Sequence, residues 1–448
     1  MRSHTLALGA LLLLSIAWAT NAKSVVCYYN SKGFHRDGQA KFRHLDFDAA
    51  LPYCTHLIYG YAGIEADTHK ITSLDSMLDL PAGNDNYRAI TKLKSRFPAL
   101  KILLSVGGNA DTDKSKYLSL LESAEARTSF VNSAFSFIRV YGFDGLDLAW
   151  EFPETKPKRI RGTFGSIWHG IKKTFGTTKI DDNEEAHREQ FADLVRQTRA
   201  AFKPDKLMLT VSVIPNVNNS IYFDVRKIIP EVDQVHLLAY DYYTPERNPK
   251  EADYSAPLYE LIDRKPDANA NAAVRYWLDH GAPATKIILG IPTHARTFKM
   301  TSDSVVSGVP PLTIDGPGEA GAYTKEEGLL SYAEVCTKIN SPVSTKGAAA
   351  KLRKIGDPTK RYEGNDTLTH YPDIPKRYGC YAFRLPDENE EHGIWVSYED
   401  PDVVKEKATY AKHNGLGGIA FNDLTLDDFK GLCTTTKYPL LIAGRSNL

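Results

Sequence analysis

Gly142-Phe143-Asp144-Gly145-Leu146-Asp147-Leu148-Ala149-Trp150-Glu151-Phe152-Pro153 has the make-up of a buried strand that ends in an acid. Side chains alternate along a strand, so Asp147, Ala149 and Glu151 point to one side, and Leu146, Leu148 and Trp150 to the other. Apolar residues on both faces fit a parallel strand covered on each side. Seven more runs share this character: Val25–Tyr29, Thr55–Tyr61, Lys101–Val106, Leu207–Val213, Gln234–Tyr240, Lys286–Ile291 and Gly418–Asn422. Between them lie helical patterns such as Asn86–Arg96, Ala124–Tyr141, His187–Phe202 and Asn271–His280. Eight buried strands alternating with helices predict an α/β fold, a parallel (β/α)8 TIM barrel. Functional groups of such barrels sit at the C-terminal ends of the strands, which aims Glu151 at the mouth with Asp147 behind it. That is an acid/base arrangement; the bland alternative is an acid satisfied by local hydrogen bonds.

The ends and insertions set the organisation. Arg2 and His4 precede an apolar run from Leu6 to Ala19, closed by Thr20 and Ala22. This describes a secretory signal peptide over 1–22, with the mature chain starting at Lys23. The run is shorter than the roughly 18 apolar residues a membrane span needs, so a secreted, extracellular protein with no membrane span is expected. The barrel then occupies 23–296 and 393–448, and the long connection at 297–392 is expected to form a small inserted α+β domain between strands seven and eight. A second long connection, Glu154–Ala186, overhangs the functional face. Its segment 155–180 carries Lys156, Lys158, Arg159, Arg161, Lys172, Lys173 and Lys179 and no acid, with Phe164, Ile167, Trp168, Ile171 and Phe175 on one helical stripe. It reads either as a helix docked on its own barrel or as a recognition surface for an acidic partner.

Lys and Arg total 55, matching 55 Asp and Glu, which argues against nucleic acid as the main partner. Five cysteines, Cys27, Cys54, Cys336, Cys380 and Cys433, leave one over after pairing in an oxidising compartment. With no CxxC or Cys/His cluster, neither a metal nor a cofactor is expected. The sequons at Asn218 and Asn365 fit N-glycosylation.

The 142–153 segment resembles the signature of family-eighteen glycoside hydrolases, Asp-Gly-x-Asp-x-Asp-Trp-Glu. Ser105-Val106-Gly107-Gly108, Leu238-Ala239-Tyr240-Asp241, Gly290 through Phe298, and the tail from Gly417 to Cys433 resemble the family's other strand motifs in order. In active members, the resemblance implies, the Glu protonates the glycosidic oxygen while the last Asp orients the substrate's acetamido group. Asp144, Asp147 and Glu151 are then vestiges of that machinery, and the orienting carboxylate is lost at Ala149. The family's cleft-floor Trp is Asn422, and its other cleft aromatics are Lys32, Asn109 and His294. Tyr61, Tyr240, Asp241 and Arg296 remain as candidate ligand-binding residues. Sugars stack on aromatic faces, so the cleft is expected to bind weakly as well as to lack its chemistry.

Within the family the chain is similar to the insect imaginal disc growth factors, which pair Ala or a similar residue at position 149 with a basic insertion after strand four. Many of these also replace the catalytic Glu, whereas Glu151 is kept here. The resemblance implies a non-enzymatic growth factor promoting proliferation and motility alongside insulin-type signalling. Its expected partners are a cell-surface receptor or glycan, with a chitooligosaccharide as a candidate. A weak chitinase or chitin-binding lectin using Glu151 is the alternative. The same resemblance implies Cys27–Cys54 and Cys336–Cys433 disulfides, leaving Cys380 as a buried thiol.

Overall fold

Eight parallel strands close into a barrel in the computed structural model, which describes residues 23–156, 180–261, 264–302, 304, 310–340, 353–354, 378–384 and 392–448. The expected leader at 1–22, the Asn365 sequon and most of the basic segment 155–180, with its stripe from Phe164 to Phe175, lie outside the described residues. Strands β1 (Ser24–Asn30), β2 (His56–Ile64), β3 (Lys101–Gly107), β4 (Gly145–Ala149), β5 (Met208–Val213), β6 (Gln234–Leu237) and β7 (Ile287–Pro292) follow one another around the barrel. After β7 the chain leaves for a second sheet built from β8 (His294–Met300), β9 (Leu329–Ser331), β10 (Cys380–Arg384) and β11 (Gly393–Tyr398). It returns as β12 (Gly418–Asn422), which pairs in parallel with both β7 and β1 and so closes the barrel.

Helices α1 (Asn86–Thr91), α2 (Ser115–Glu122), α3 (Ala124–Tyr141), α4 (Glu184–Phe202), α5 (Ala270–Asp279), α6 (Tyr332–Asn340) and α7 (Pro401–His413) include those that cover the barrel wall. Their ends follow local chemistry. The Ser123 hydroxyl accepts from the Ala126 N–H at 3.1 Å to start α3, and Gly142, at φ +76°, ends it. Asp400 caps α7 ahead of Pro401.

The two faces of β4 go to different places. Trp150 turns outward, its ring 5.1 Å from Tyr117 of α2, 5.7 Å from Phe130 of α3 and 5.8 Å from Phe191 of α4. Pinning Trp150 between these helices fixes the register that sends Ala149 and Glu151 inward.

The second sheet is antiparallel and spans the boundaries read from the sequence, since its strands begin at His294 and end at Tyr398 rather than at 297 and 392. It has its own small core of Phe298, Met300, Leu312, Phe383 and Trp395. Disulfides join Cys27 to Cys54 and Cys336 to Cys433, with Cα atoms 5.9 and 5.8 Å apart. The first ties β1 to the segment entering β2; the second anchors α6 to the chain after β12. Cys380 is half-buried rather than buried, because it is the first residue of β10; its thiol donates to the Tyr398 carbonyl at 3.2 Å.

Candidate functional site

The mouth of the barrel is assembled from the ends of β3, β4, β6, β7 and β12. At the end of β3, Gly107 and Gly108 take φ of +95° and +68°. A side chain on Gly107 would meet the Ala149 carbonyl at 2.2 Å, and one on Gly108 the Tyr61 ring at 2.1 Å. The glycine pair thus lets the chain turn tightly over β4 and deliver the Asn109 N–H to Glu151 Oε1, at 2.6 Å.

Glu151 is buried, and burial pushes its carboxyl up to about 7, against the lowering pull of Lys114 and the Asn109 N–H. The Lys114 ammonium lies 3.6 Å from Glu151 Oε2 and 3.5 Å from Glu154 Oε1, and it donates to the Asn109 side chain at 2.8 Å. Glu154 in turn accepts from Arg247 at 2.9 Å. The retained acid therefore stands at one end of a chain of alternating charges, Glu151–Lys114–Glu154–Arg247. Lys114, Glu154 and Arg247 come from three different loops and belong to no motif, so nothing in the sequence marked them.

Asp147 lies deeper and is fully buried. Burial raises its carboxyl, while hydroxyls of Thr210 and Ser105 at 2.7 Å and of Ser212 at 2.8 Å hydrogen-bond to it. Ser212 also meets Tyr28 Oη at 2.7 Å, and Tyr28 Oη meets His236 Nδ1 at 2.6 Å. Burial holds His236 down to about 3, so the imidazole is neutral. Asp147 is thus the head of a buried polar column inside the barrel. Between Asp147 and Glu151, Ala149 contributes only a fully buried methyl. No acceptor stands there to receive a developing positive charge.

Asp144 is elsewhere. It precedes β4, accepts from the Ile102 N–H at 2.8 Å and pairs with Lys94 at 3.2 Å, so it fastens the entry end of the strand, far from the mouth.

Of the candidate ligand-binding residues, Tyr61 is buried, and its hydroxyl accepts from Asn422 at 3.4 Å. Tyr240 is also buried, its ring edge-on to His294 at 5.7 Å. Asp241 accepts from Arg296 Nε at 2.8 Å and Nη2 at 2.7 Å, and contacts His294 Nε2 at 3.0 Å. Burial alone would raise the Asp241 carboxyl, but Arg296 and His294 hold it well below the usual carboxylate range. Asp241, His294 and Arg296 are therefore a closed ionic clamp, with both carboxylate oxygens already engaged. Lys32 and Asn109 are exposed.

The raised acid has a measurable consequence. A carboxyl with a folded-state pKa near 7 keeps its proton where the unfolded chain, at the reference value of 4.5, has lost it. Its contribution to stability is full below the unfolded value and is lost as pH rises towards about 7. Glu151→Gln should therefore gain on the order of 2 kcal/mol over the parent at pH 8 and almost nothing at pH 4, read by urea denaturation. Equal differences at both pH values would contradict the assignment.

The sequence profile of the glycosyl hydrolases family 18 matches residues 24–427, and the chain belongs to that family. Within it, the chain is 54% identical over 444 residues to the chitinase-like protein EN03 of Bombyx mori, covering 98% of each chain. It is 44% identical over 438 residues to imaginal disk growth factor 6 of Drosophila melanogaster, covering 95% of this chain and 93% of that one. Among solved structures, human YKL-39, described as a pseudo-chitinase with retained chitooligosaccharide binding properties, matches with a TM-score of 0.70 at 26% identity, covering 95% and 99% of the two chains.

Proposed function

We propose that this chain is a secreted chitinase-like growth factor that does not hydrolyse chitin, binds glycans weakly at its barrel mouth, and promotes cell proliferation and motility through a cell-surface receptor or glycan. Ala149 is the observation that carries this reading. A methyl group stands, fully buried, where the signature needs a carboxylate beside the acid. The loss of such an electrostatic element costs on the order of hundreds-fold in turnover. Asn422 in place of the floor aromatic removes the stacking surface as well. The names of relatives such as imaginal disk growth factor 6 support the growth-factor role, and retained chitooligosaccharide binding in YKL-39 supports the weak glycan site. Secretion through the leader at 1–22 and glycosylation at Asn218 and Asn365 belong to the same reading.

Glu151 favours a second reading, a weak chitinase, because an acid lifted to about 7 is protonated under mildly acidic conditions. One preparation separates the two. The mature protein from insect cells should release no chromophore from a chitooligosaccharide substrate, bind chitotetraose weakly, and increase cell number in culture. Sustained hydrolysis with no effect on the cells would install the enzyme reading instead.

A further inference from the structure

The loop between β1 and β2 brings basic side chains to one edge of the barrel mouth. It leaves β1 as a single turn, Ser31–His35, which Asn30 Oδ1 starts by accepting from the Lys32 N–H at 3.1 Å. Two contacts fasten it to the end of β12. Gly33 packs so closely on Thr425 that a Cβ there would meet the threonine side chain at 2.8 Å. Arg36 Nη1 donates to the Thr425 carbonyl at 2.8 Å and to its hydroxyl at 3.1 Å. Thr425 stands three residues beyond Asn422, so the loop borders the part of the mouth that lacks an aromatic floor.

The return limb of the loop is extended. Lys41 and Arg43 take φ of −67° and −120° with ψ of 117° and 160°, and Phe42 between them is buried. Side chains alternate along extended backbone, so Lys41 and Arg43 share the face opposite Phe42. The Phe42 N–H donates to the Gly33 carbonyl at 3.0 Å, which lays this limb beside the turn that carries Lys32. The Lys41 ammonium sits 4.7 Å from the centre of the Phe34 ring, an attraction that holds the charge in place. Lys32 and Arg43 are exposed.

Charge balance sets this edge apart from the rest of the mouth. Lys114 faces Glu151 and Glu154, Arg247 pairs with Glu154, and Arg296 pairs with Asp241. The acids near the loop are engaged as well: Asp46 by Lys430 at 2.7 Å, Asp48 by Arg96 at 2.6 Å and Asp75 by His35 at 2.5 Å. Among the described residues Lys32, Lys41 and Arg43 have no carboxylate partner, and within the loop the exposed Asp37 alone is left to offset them. Unpaired cations at the edge of a sugar cleft suit a ligand that carries negative charge.

We propose that this loop is a docking edge for a polyanionic glycan, a chain with sulfate or carboxylate groups on its rings, held by Lys32, Lys41 and Arg43. An acidic protein would meet the same charges, but the edge continues into the mouth at Asn422, and a sugar chain is the occupant that suits both. The proposal rests on the reading of a cell-surface glycan as partner and names the class of that glycan.

Surface plasmon resonance of the mature secreted chain over heparin, hyaluronan and chitotetraose tests it. Heparin carries sulfate and carboxylate, hyaluronan carboxylate without sulfate, and chitotetraose no charge. Lys32→Glu/Lys41→Glu/Arg43→Glu is compared with Lys101→Glu/Lys203→Glu/Lys412→Glu, an equal reversal on exposed lysines at the start of β3, after α4 and in the last turn of α7. Thermal denaturation checks folding, and Lys32→Gln/Lys41→Gln/Arg43→Gln replaces the loop variant if that one is unfolded. The parent should bind heparin saturably and less tightly as salt rises, with the loop variant about tenfold or more weaker and the control within about threefold. Hyaluronan binding in the same pattern assigns the recognition to carboxylate, and heparin binding without it assigns the recognition to sulfate. No binding of either polyanion, or equal losses in the two variants, overturns the proposal; if the loop variant then still loses binding to responsive cells, the edge takes an acidic protein instead. Chitotetraose reads the mouth separately. Its binding without the polyanions refutes the proposal and leaves the mouth a neutral-glycan site, and polyanion binding without it does the reverse.

Discussion

Ala149→Asp is expected to return no more than a trace of chitin hydrolysis, although it restores the signature residue beside an acid that is still present. The new carboxyl enters a fully buried position between Asp147 and Glu151, both of which burial already pushes up. Desolvation of the new polar group should cost about 1–3 kcal/mol of stability. The reacting sugar would still lie over Asn422 and beside His294, without the aromatic floor that fixes its distorted geometry. A misplacement of about 1 Å can cost on the order of a hundredfold. The double variant Ala149→Asp/Asn422→Trp should therefore exceed the product of the single effects, because charge stabilisation and orientation act on one transition state. Turnover on a chromogenic chitooligosaccharide is the measurement. Robust activity from Ala149→Asp alone would show a cleft still built for chitin and disarmed by one substitution.

The Asp241 clamp should respond to substitution with a loss of stability. Removing the carboxylate by Asp241→Ala leaves the half-buried Arg296 without its two hydrogen bonds, and breaking a buried pair from one side costs about 3–5 kcal/mol, which sets the upper end of the expected loss. Asp241→Asn keeps one acceptor for the guanidinium and should cost less. Urea denaturation of the mature chain measures both. A stable Asp241→Ala protein that had lost chitooligosaccharide binding would refute the clamp and restore Asp241 as a sugar ligand.

These two sites differ in how far they could be read along the chain. Ala149 stood out through the resemblance to the family signature, and alternation along one strand then places Asp147, Ala149 and Glu151 on one face. The clamp was only half legible. Asp241 and Arg296 stood out as motif residues with a sugar-binding implication and His294 as a lost cleft aromatic, but whether their polar atoms face a ligand or one another depends on how the chain beyond β6 meets β8.

Asp144 makes the same point in reverse. Motif membership grouped it with Asp147 and Glu151, yet it precedes β4 and fastens the opposite end of that strand to Lys94 and Ile102. The boundaries of the inserted domain shifted because β8 follows β7 after a single residue, Thr293.

The sequence by itself determined the barrel and put Asp147, Ala149 and Glu151 on one face, since apolar periodicity and same-strand spacing are local properties written into neighbouring residues; the resemblance to the family signature then singled out Ala149. Only the tertiary structure decided what surrounds the surviving acid. Lys114 reaches Glu151 from the loop after β3, and Arg247 reaches Glu154 from the loop after β6. Ser105, Thr210 and Ser212 reach Asp147 from the two neighbouring strands. Each of these contacts joins residues distant in sequence, and the energy of a buried charge is set by whichever groups the fold brings within a few ångströms of it.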